Sequence, residues 1–374
     1  MVESANRWAG LDHIRALAAF MVFTWHFTHG MNASPVPLDG APSLPFAALF
    51  DEGHVGVSLF MCLSGYLFAA LLEGKKINFL RFLIARSIRL FPLLMLLFAI
   101  DFIFLLLAKG SVADFFKTFL SGFVLPRWPS GRWSIAVELQ FYLLLPFLLR
   151  ARDKSKWAMP AMLVGMLIVR SILFVRFGTI EHWSYNTLVG RIDQFILGIT
   201  LFDYRNSFKG KHVIAGLTAG LLAIGYYLFD YAGGFYQFEG WPSRSPLWIW
   251  WPTFEAITFS ILIAYYDTSF KPAGLISDFI SKIGFYSYGI YLIHFYFVFY
   301  IARMIDEKLL PISNFYIAWA FTVPVFLFML IPSWLAYHIV EKPFQRFKPR
   351  YVVNGVGKNQ PNDGQVVISV ATIQ

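Results

Sequence analysis

The chain has 374 residues, of which 57% are hydrophobic and only 14% charged, with 41 Phe, 18 Tyr and 12 Trp. A mean hydropathy of +0.58 and a charged fraction well below the quarter found in soluble domains exclude an ordinary soluble protein, and the net charge of +9 then reads as loop charge that sets topology, not as nucleic-acid binding. The single cysteine, Cys62, excludes an internal disulfide and a thiolate metal cluster.

The predicted fold class is all-α, a polytopic membrane protein of about ten transmembrane helices. The apolar stretches lie near residues 11–30, 55–73, 88–108, 133–149, 157–175, 187–203, 213–230, 247–266, 283–303 and 315–338. A shorter stretch at about 111–124 reads as a re-entrant or interfacial helix, and the polar tail from about 349 to 374 reads as disordered. The first apolar run lacks a small-residue cleavage site after it, so no cleaved signal peptide is expected. With the N-terminus inside, 21 of the 31 basic residues fall on inner segments. Both termini are therefore expected to be cytoplasmic.

The first span, "RALAAFMVFTWH", separates Arg15 from His26 by ten residues, eleven helical steps. At 100° per residue that is three turns plus roughly 20°, so both side chains leave one helical face about 16 Å apart along the axis. Arg15 then lies at the inner edge and His26 in the outer half. Ionisable groups at such depth point to function. The plainer readings are an arginine that snorkels to the interface and a histidine hydrogen-bonded within the bundle.

In the second span, "GVSLFMCLSGYLFA", Ser64, Gly65 and Tyr66 favour close helix approach; Ser64 has no visible base to make it a nucleophile. "RFLIARSIRLFP" places Arg81, Arg86 and Arg89 in the first inner loop. Arg86 and Arg89, three apart, form a guanidinium pair suited to phosphate, although inner loops are basic for topology alone. "RWSIAVELQFYLLLPFLL" opens the fourth span, with Trp133 and Ser134 at its outer start. Glu138 lies one to two turns below the outer surface. That matches the depth of His26, whose ring a carboxylate could orient; alternatively Glu138 pairs with Arg132.

"RIDQFILG" puts Arg191, Asp193 and Gln194 at the outer start of the sixth span, to bind a polar acceptor or to pair with one another. "SYGIYLIHFYF" places His294 inside the ninth span, as a core or a catalytic histidine. "YHIVEKPFQRF" ends the last span, where a helix-ending Pro343 and an interfacial ion pair account for Glu341 and Lys342.

Taken together and in order, these motifs resemble the acyltransferase family 3 of membrane O-acyltransferases, from about residue 8 to 348. The resemblance implies a ten-span bacterial inner-membrane enzyme. It would move an acetyl or other short acyl group from acyl-CoA, as co-substrate and without a metal, to a hydroxyl of a glycan, a lipid-linked glycan or a small molecule. The family's Arg–ten residues–His motif maps onto Arg15 and His26, its Arg-x-x-Arg motif onto Arg86 and Arg89, and its WS-x-x-x-E segment onto Trp133, Ser134 and Glu138. One departure is His13, where many relatives have small residues. Some relatives carry a periplasmic hydrolase-like domain after the last span, and none is expected here.

The expected mechanism has acyl-CoA phosphates on Arg15, Arg86 and Arg89. His26 and Glu138 are the catalytic pair, acting by direct transfer or through an acylated His26. Trp133, Ser134, Arg191 and His294 contact the acceptor. The partners are then the lipid bilayer, acyl-CoA and a glycan, with no nucleic acid. The competing reading is a transporter or flippase with buried His, Glu and Arg; such proteins often show paired half-repeats, and this chain shows none.

Overall fold

The computed structural model describes residues 8–30, 34–37, 40, 42–240 and 242–353. The chain folds as a helical bundle. In chain order the helices are α1 (Ala9–His29), α2 (Pro45–Asp51), α3 (Gly56–Leu72), α4 (Phe79–Leu107), α5 (Val112–Ser121), α6 (Trp133–Lys154), α7 (Ala158–Phe177), α8 (Glu181–Asn186), α9 (Leu188–Asp203), α10 (His212–Tyr231), α11 (Gly234–Gln237), α12 (Trp251–Ser269), α13 (Leu275–Ile293), α14 (Val298–Lys308), α15 (Phe315–Phe328), α16 (Leu330–Ala336) and α17 (Lys342–Gln345).

Among the described residues six helical stretches are long and apolar enough to cross a membrane, and α13 with α14 makes a seventh if this pair, bent by 58°, is one span. The other three stretches expected to span form the helices α1, α9 and α12, which do not meet that test; α9, with 16 residues, is too short for it. Large apolar side chains such as Val175 on α7 and Val213 and Leu217 on α10 point outward, as surfaces facing lipid tails do.

α3 is central: 83% of its apolar window is buried, against 11% for α7. It lies against α9 and α1. Small residues permit this. A Cβ on Gly65 would come within 2.2 Å of the Phe195 carbonyl oxygen, and one on Gly284 of α13 within 2.0 Å of the Asp12 carbonyl of α1. Backbones this close gain dispersion where lipid supplies no hydrophobic drive. The atypical His13 ties three helices, with Nδ1 2.9 Å from the Tyr266 hydroxyl and Nε2 2.9 Å from the Ser277 carbonyl.

Several local expectations change. α4 starts at Phe79, N-capped by Asn78, whose side chain accepts the Arg81 amide at 3.0 Å. Arg81, Arg86 and Arg89 therefore stand on a helix and not in a loop. The ninth span breaks at His294–Tyr296, so His294 sits at the end of α13. Pro343 does not end the last helix: a π-helical turn, Tyr337–Glu341, precedes it, and α17 continues to Gln345. The wider turn accommodates a residue that cannot donate. The segment near 111–124 contains the ten-residue α5, too short to span.

Of the tail expected from residue 349, Tyr351 is buried, and Val352–Val353 pairs antiparallel with Lys76–Ile77. Residues 354–374 lie outside the described residues.

Candidate active site

Two cavities follow one another along α1. The first, about 150 Å³, is lined by Arg15, Arg86, Arg89, Glu138, Ser134 and Ser64 together with apolar side chains of α3. The second, about 110 Å³, is lined by His26, His54, Trp25, Trp133, Tyr185 and Phe295. Val57 and Tyr291 wall both. At this junction the Tyr291 and Ser134 hydroxyls lie 2.7 Å apart, and Tyr291 also donates to the Gly131 carbonyl at 2.9 Å.

The helical arithmetic thus assigns Arg15 and His26 to consecutive chambers. The arginines of the first are held from several elements. Arg15 pairs with Asp12 on its own helix. Arg86 donates to the Tyr351 hydroxyl at 2.9 Å and stacks over Phe68, 4.8 Å from the ring centre. Arg89 pairs with Glu341 and stacks over Tyr288. Glu341 thus neutralises an arginine of another helix; among the described residues no ion pair forms within its own segment. Lys348 lies close by, beyond the last apolar stretch. Burial and the charges of Arg86 and Arg89 push its pKa down to about 8.

Glu138 does not meet His26. Its carboxylate takes the Tyr142 hydroxyl and faces the first cavity, near the arginines. Among the described residues no hydrogen bond joins it to the imidazole. Nor does it pair with Arg132, which is bound to Asp101 at 2.5 Å. Ser134 and Glu138 stand one turn apart on one face of α6, and both line the arginine cavity.

The partner of His26 is His294. Its Nε2 lies 3.2 Å from His26 Nδ1, which is also 2.9 Å from the Val22 carbonyl. A carbonyl only accepts, so His26 Nδ1 carries the proton. His294 Nδ1 faces the Ile290 carbonyl at 3.1 Å and is likewise the protonated nitrogen of that ring, leaving its Nε2 to accept. The free nitrogen of His26 is therefore Nε2, a lone pair available on a half-buried ring of the second cavity.

Arg191 lines neither cavity. It is buried behind the second, 3.3 Å from Glu255 and 2.6 Å from the Ser58 hydroxyl, stacked on Tyr185 and under Trp133. Asp193 pairs instead with Arg170 at 2.6 Å. A buried guanidinium needs a carboxylate, and α12 supplies one from the opposite side. Trp133 and Ser134 are on the cavities; His294 reaches them only through His26.

The sequence reading passed over His54, Tyr291 and Tyr351. Tyr291 was within reach, since Tyr288, Tyr291 and His294 follow at intervals of three in "SYGIYLIH". His54 and Tyr351 carry no such pattern.

Residues 8–338 match the profile of the acyltransferase domain. The chain belongs to this acyltransferase family. It is 23% identical over 401 residues to the "Putative peptidoglycan O-acetyltransferase YrhL" of Bacillus subtilis (strain 168), covering 93% of this chain and 57% of the relative. It is also 23% identical over 372 residues to the O-acetyltransferase OatA of Staphylococcus aureus (strain NCTC 8325 / PS 47), covering 90% of this chain and 57% of the relative. This acyltransferase chain thus spans little more than half the length of the curated relatives it matches. No solved structure matches it.

Proposed function

We propose that this chain is a membrane O-acyltransferase that takes an acetyl or other short acyl group from acyl-CoA and delivers it to a hydroxyl of a glycan of the cell envelope. The observation that carries the reading is the pair of adjacent cavities that share Val57 and Tyr291 as walls, one arginine-lined and one presenting the bare Nε2 of His26. Guanidinium groups suit the phosphates of CoA, and a neutral imidazole suits a hydroxyl proton. The relatives' names supply the acetyl group and the glycan class.

In this reading the arginine cavity opens toward the cytoplasm of a bacterial inner membrane, with both termini on that side. Arg15, Arg86 and Arg89 hold the donor's phosphates. The pantetheine arm follows α1 toward the junction. An acceptor hydroxyl enters the second cavity from the other side. His26 Nε2 takes its proton, and the hydroxyl oxygen attacks the thioester carbon. The carbonyl oxygen becomes an oxyanion at the junction, which the hydroxyls of Tyr291 and Ser134 meet by turning from the Gly131 carbonyl. The C–S bond breaks, and the CoA thiolate recovers the proton from the imidazolium. His294 accepts from His26 Nδ1 and holds the ring in the tautomer this requires. Glu138 is the counter-ion of the arginine cluster.

The test is CoA release and product mass from the full-length chain in lipid nanodiscs supplied with acetyl-CoA and an envelope glycan. His26→Ala should lose at least about a hundredfold in turnover, the lower range of what a positioned base contributes, with acetyl-CoA affinity unchanged. Full turnover in that variant would overturn the proposal.

A further inference from the structure

The second cavity holds an imidazole that the proton transfer at His26 does not use. His54 is 1% exposed and stands in the 3-10 turn Gly53–Val55 at the start of α3. This turn is pressed onto α1: a Cβ on Gly53 would come within 2.0 Å of the Met21 carbonyl oxygen. The His26 and His54 rings both pack edge-on against Trp25, at centroid distances of 4.8 and 5.6 Å. Both line the same cavity.

His54 Nε2 lies 2.9 Å from one oxygen of Glu52, whose other oxygen accepts the Phe235 amide at 3.1 Å. One face of the ring is thereby anchored. Its Nδ1 is enclosed and has no hydrogen-bond partner among the described residues. A buried polar atom left unpaired costs stability, so this nitrogen, on a ring that lines a cavity, is a place for a bound polar group. A hydroxyl satisfies Nδ1 in either tautomer, because it both donates and accepts. An ammonium only donates, and an apolar group does neither. The remaining walls, Trp133, Tyr185 and Phe295, are aromatic faces, which accept the C–H side of a polyol while its hydroxyls turn to the imidazoles.

We infer that His54 holds a second hydroxyl of the same acceptor molecule whose first hydroxyl lies on His26, so that the site selects neighbouring-diol and polyol acceptors over lone alcohols. His54 is a positioning residue in this scheme, and Glu52 fixes its ring. The inference rests on the reading of His26 as the base. It adds what that reading lacks, a physical reason for choosing a sugar.

The test uses the full chain in nanodiscs with acetyl-CoA and two probes small enough for the cavity, ethylene glycol and ethanol, with the acetate esters quantified by mass spectrometry. A hydrogen bond to the second hydroxyl should favour the diol about tenfold in kcat/KM. His54→Gln keeps a group near Glu52 but removes the one at Nδ1, and the preference should fall to the about twofold that two equivalent hydroxyls give by counting. His54→Asn restores a polar atom near the Nδ1 position and should restore the preference. A diol preference equal in wild type and His54→Gln overturns this inference alone. Absence of any CoA release from the wild type overturns the acyl-transfer reading, and this inference with it.

Discussion

In the proposed reaction, two imidazoles sharing one proton position set the chemistry at the smallest scale. His26 Nδ1 is committed to Val22 and His294, so the tautomer is decided by neighbours rather than by pH. Replacing His294 with Leu should lower kcat by about tenfold to a hundredfold and leave the acceptor KM nearly unchanged, since the hydroxyl still meets the same ring. His294→Gln, which keeps an acceptor near the lost Nε2, should recover most of that loss. Stopped-flow CoA release separates the two parameters, and a Leu variant with normal kcat would remove His294 from the scheme. Lys348 offers a linked readout. Its pKa of about 8, held below the usual lysine value by burial and by Arg86 and Arg89, means that the folded chain binds fewer protons than the unfolded chain between about pH 8 and 10.5. Stability should therefore rise with pH across that window, because unfolding takes up a proton there. Phosphates bound at the arginines would raise this pKa again. Acetyl-CoA binding at pH 8.5 should take up protons, visible as a buffer-dependent enthalpy in calorimetry and absent in Lys348→Met.

At the scale of elements, α1 acts as a ruler in the proposed reaction. Arg15 and His26 reach successive cavities because one unbroken helix joins them. A single residue inserted between them turns His26 by about 100° relative to Arg15. Acyl transfer should vanish while acetyl-CoA still binds, and retained transfer would refute the spacer role. α3 and α9 are joined by backbone contact at Gly65, where any side chain must displace the Phe195 carbonyl. Gly65→Val should cost about 1–3 kcal/mol by overpacking, seen as a lowered melting temperature in detergent. The bend after α13 has a different consequence. It ends the helix at His294, which places that ring beside α1.

For the molecule as a whole, polar groups are gathered inward and apolar ones outward. The interior pairs Arg191–Glu255 and Arg170–Asp193 are almost fully buried and link α9 to α12 and α7. Such pairs add little over a well-packed apolar contact, but breaking one strands a charge. Glu255→Leu should therefore destabilise the bundle by about 3–5 kcal/mol, measurable as loss of the folded monomer in size-exclusion chromatography, whereas the double change Arg191→Leu with Glu255→Leu should be milder. Equal stability in the single and double variants would show that the pair is not coupled.

The membrane class, the position of most helices and the shared face of Arg15 and His26 could be read from the chain because each depends on local composition or on helical period. The arginine pair at 86 and 89 was legible for the same reason, being one turn apart. Partnerships across the bundle were not. Glu138 and His26 stand at similar expected depths, yet depth says nothing about the direction in which two helices face one another. That direction follows from packing, here from glycines that draw α3 onto α9 and α13 onto α1. The packing of α13 on α1 gave His26 to His294, while Glu138 stands on α6 among the arginines and Arg191 of α9 is closed behind the cavity wall by Glu255 of α12. Packing also brought His54 to the cavity, a residue that no spacing in the sequence connects to His26.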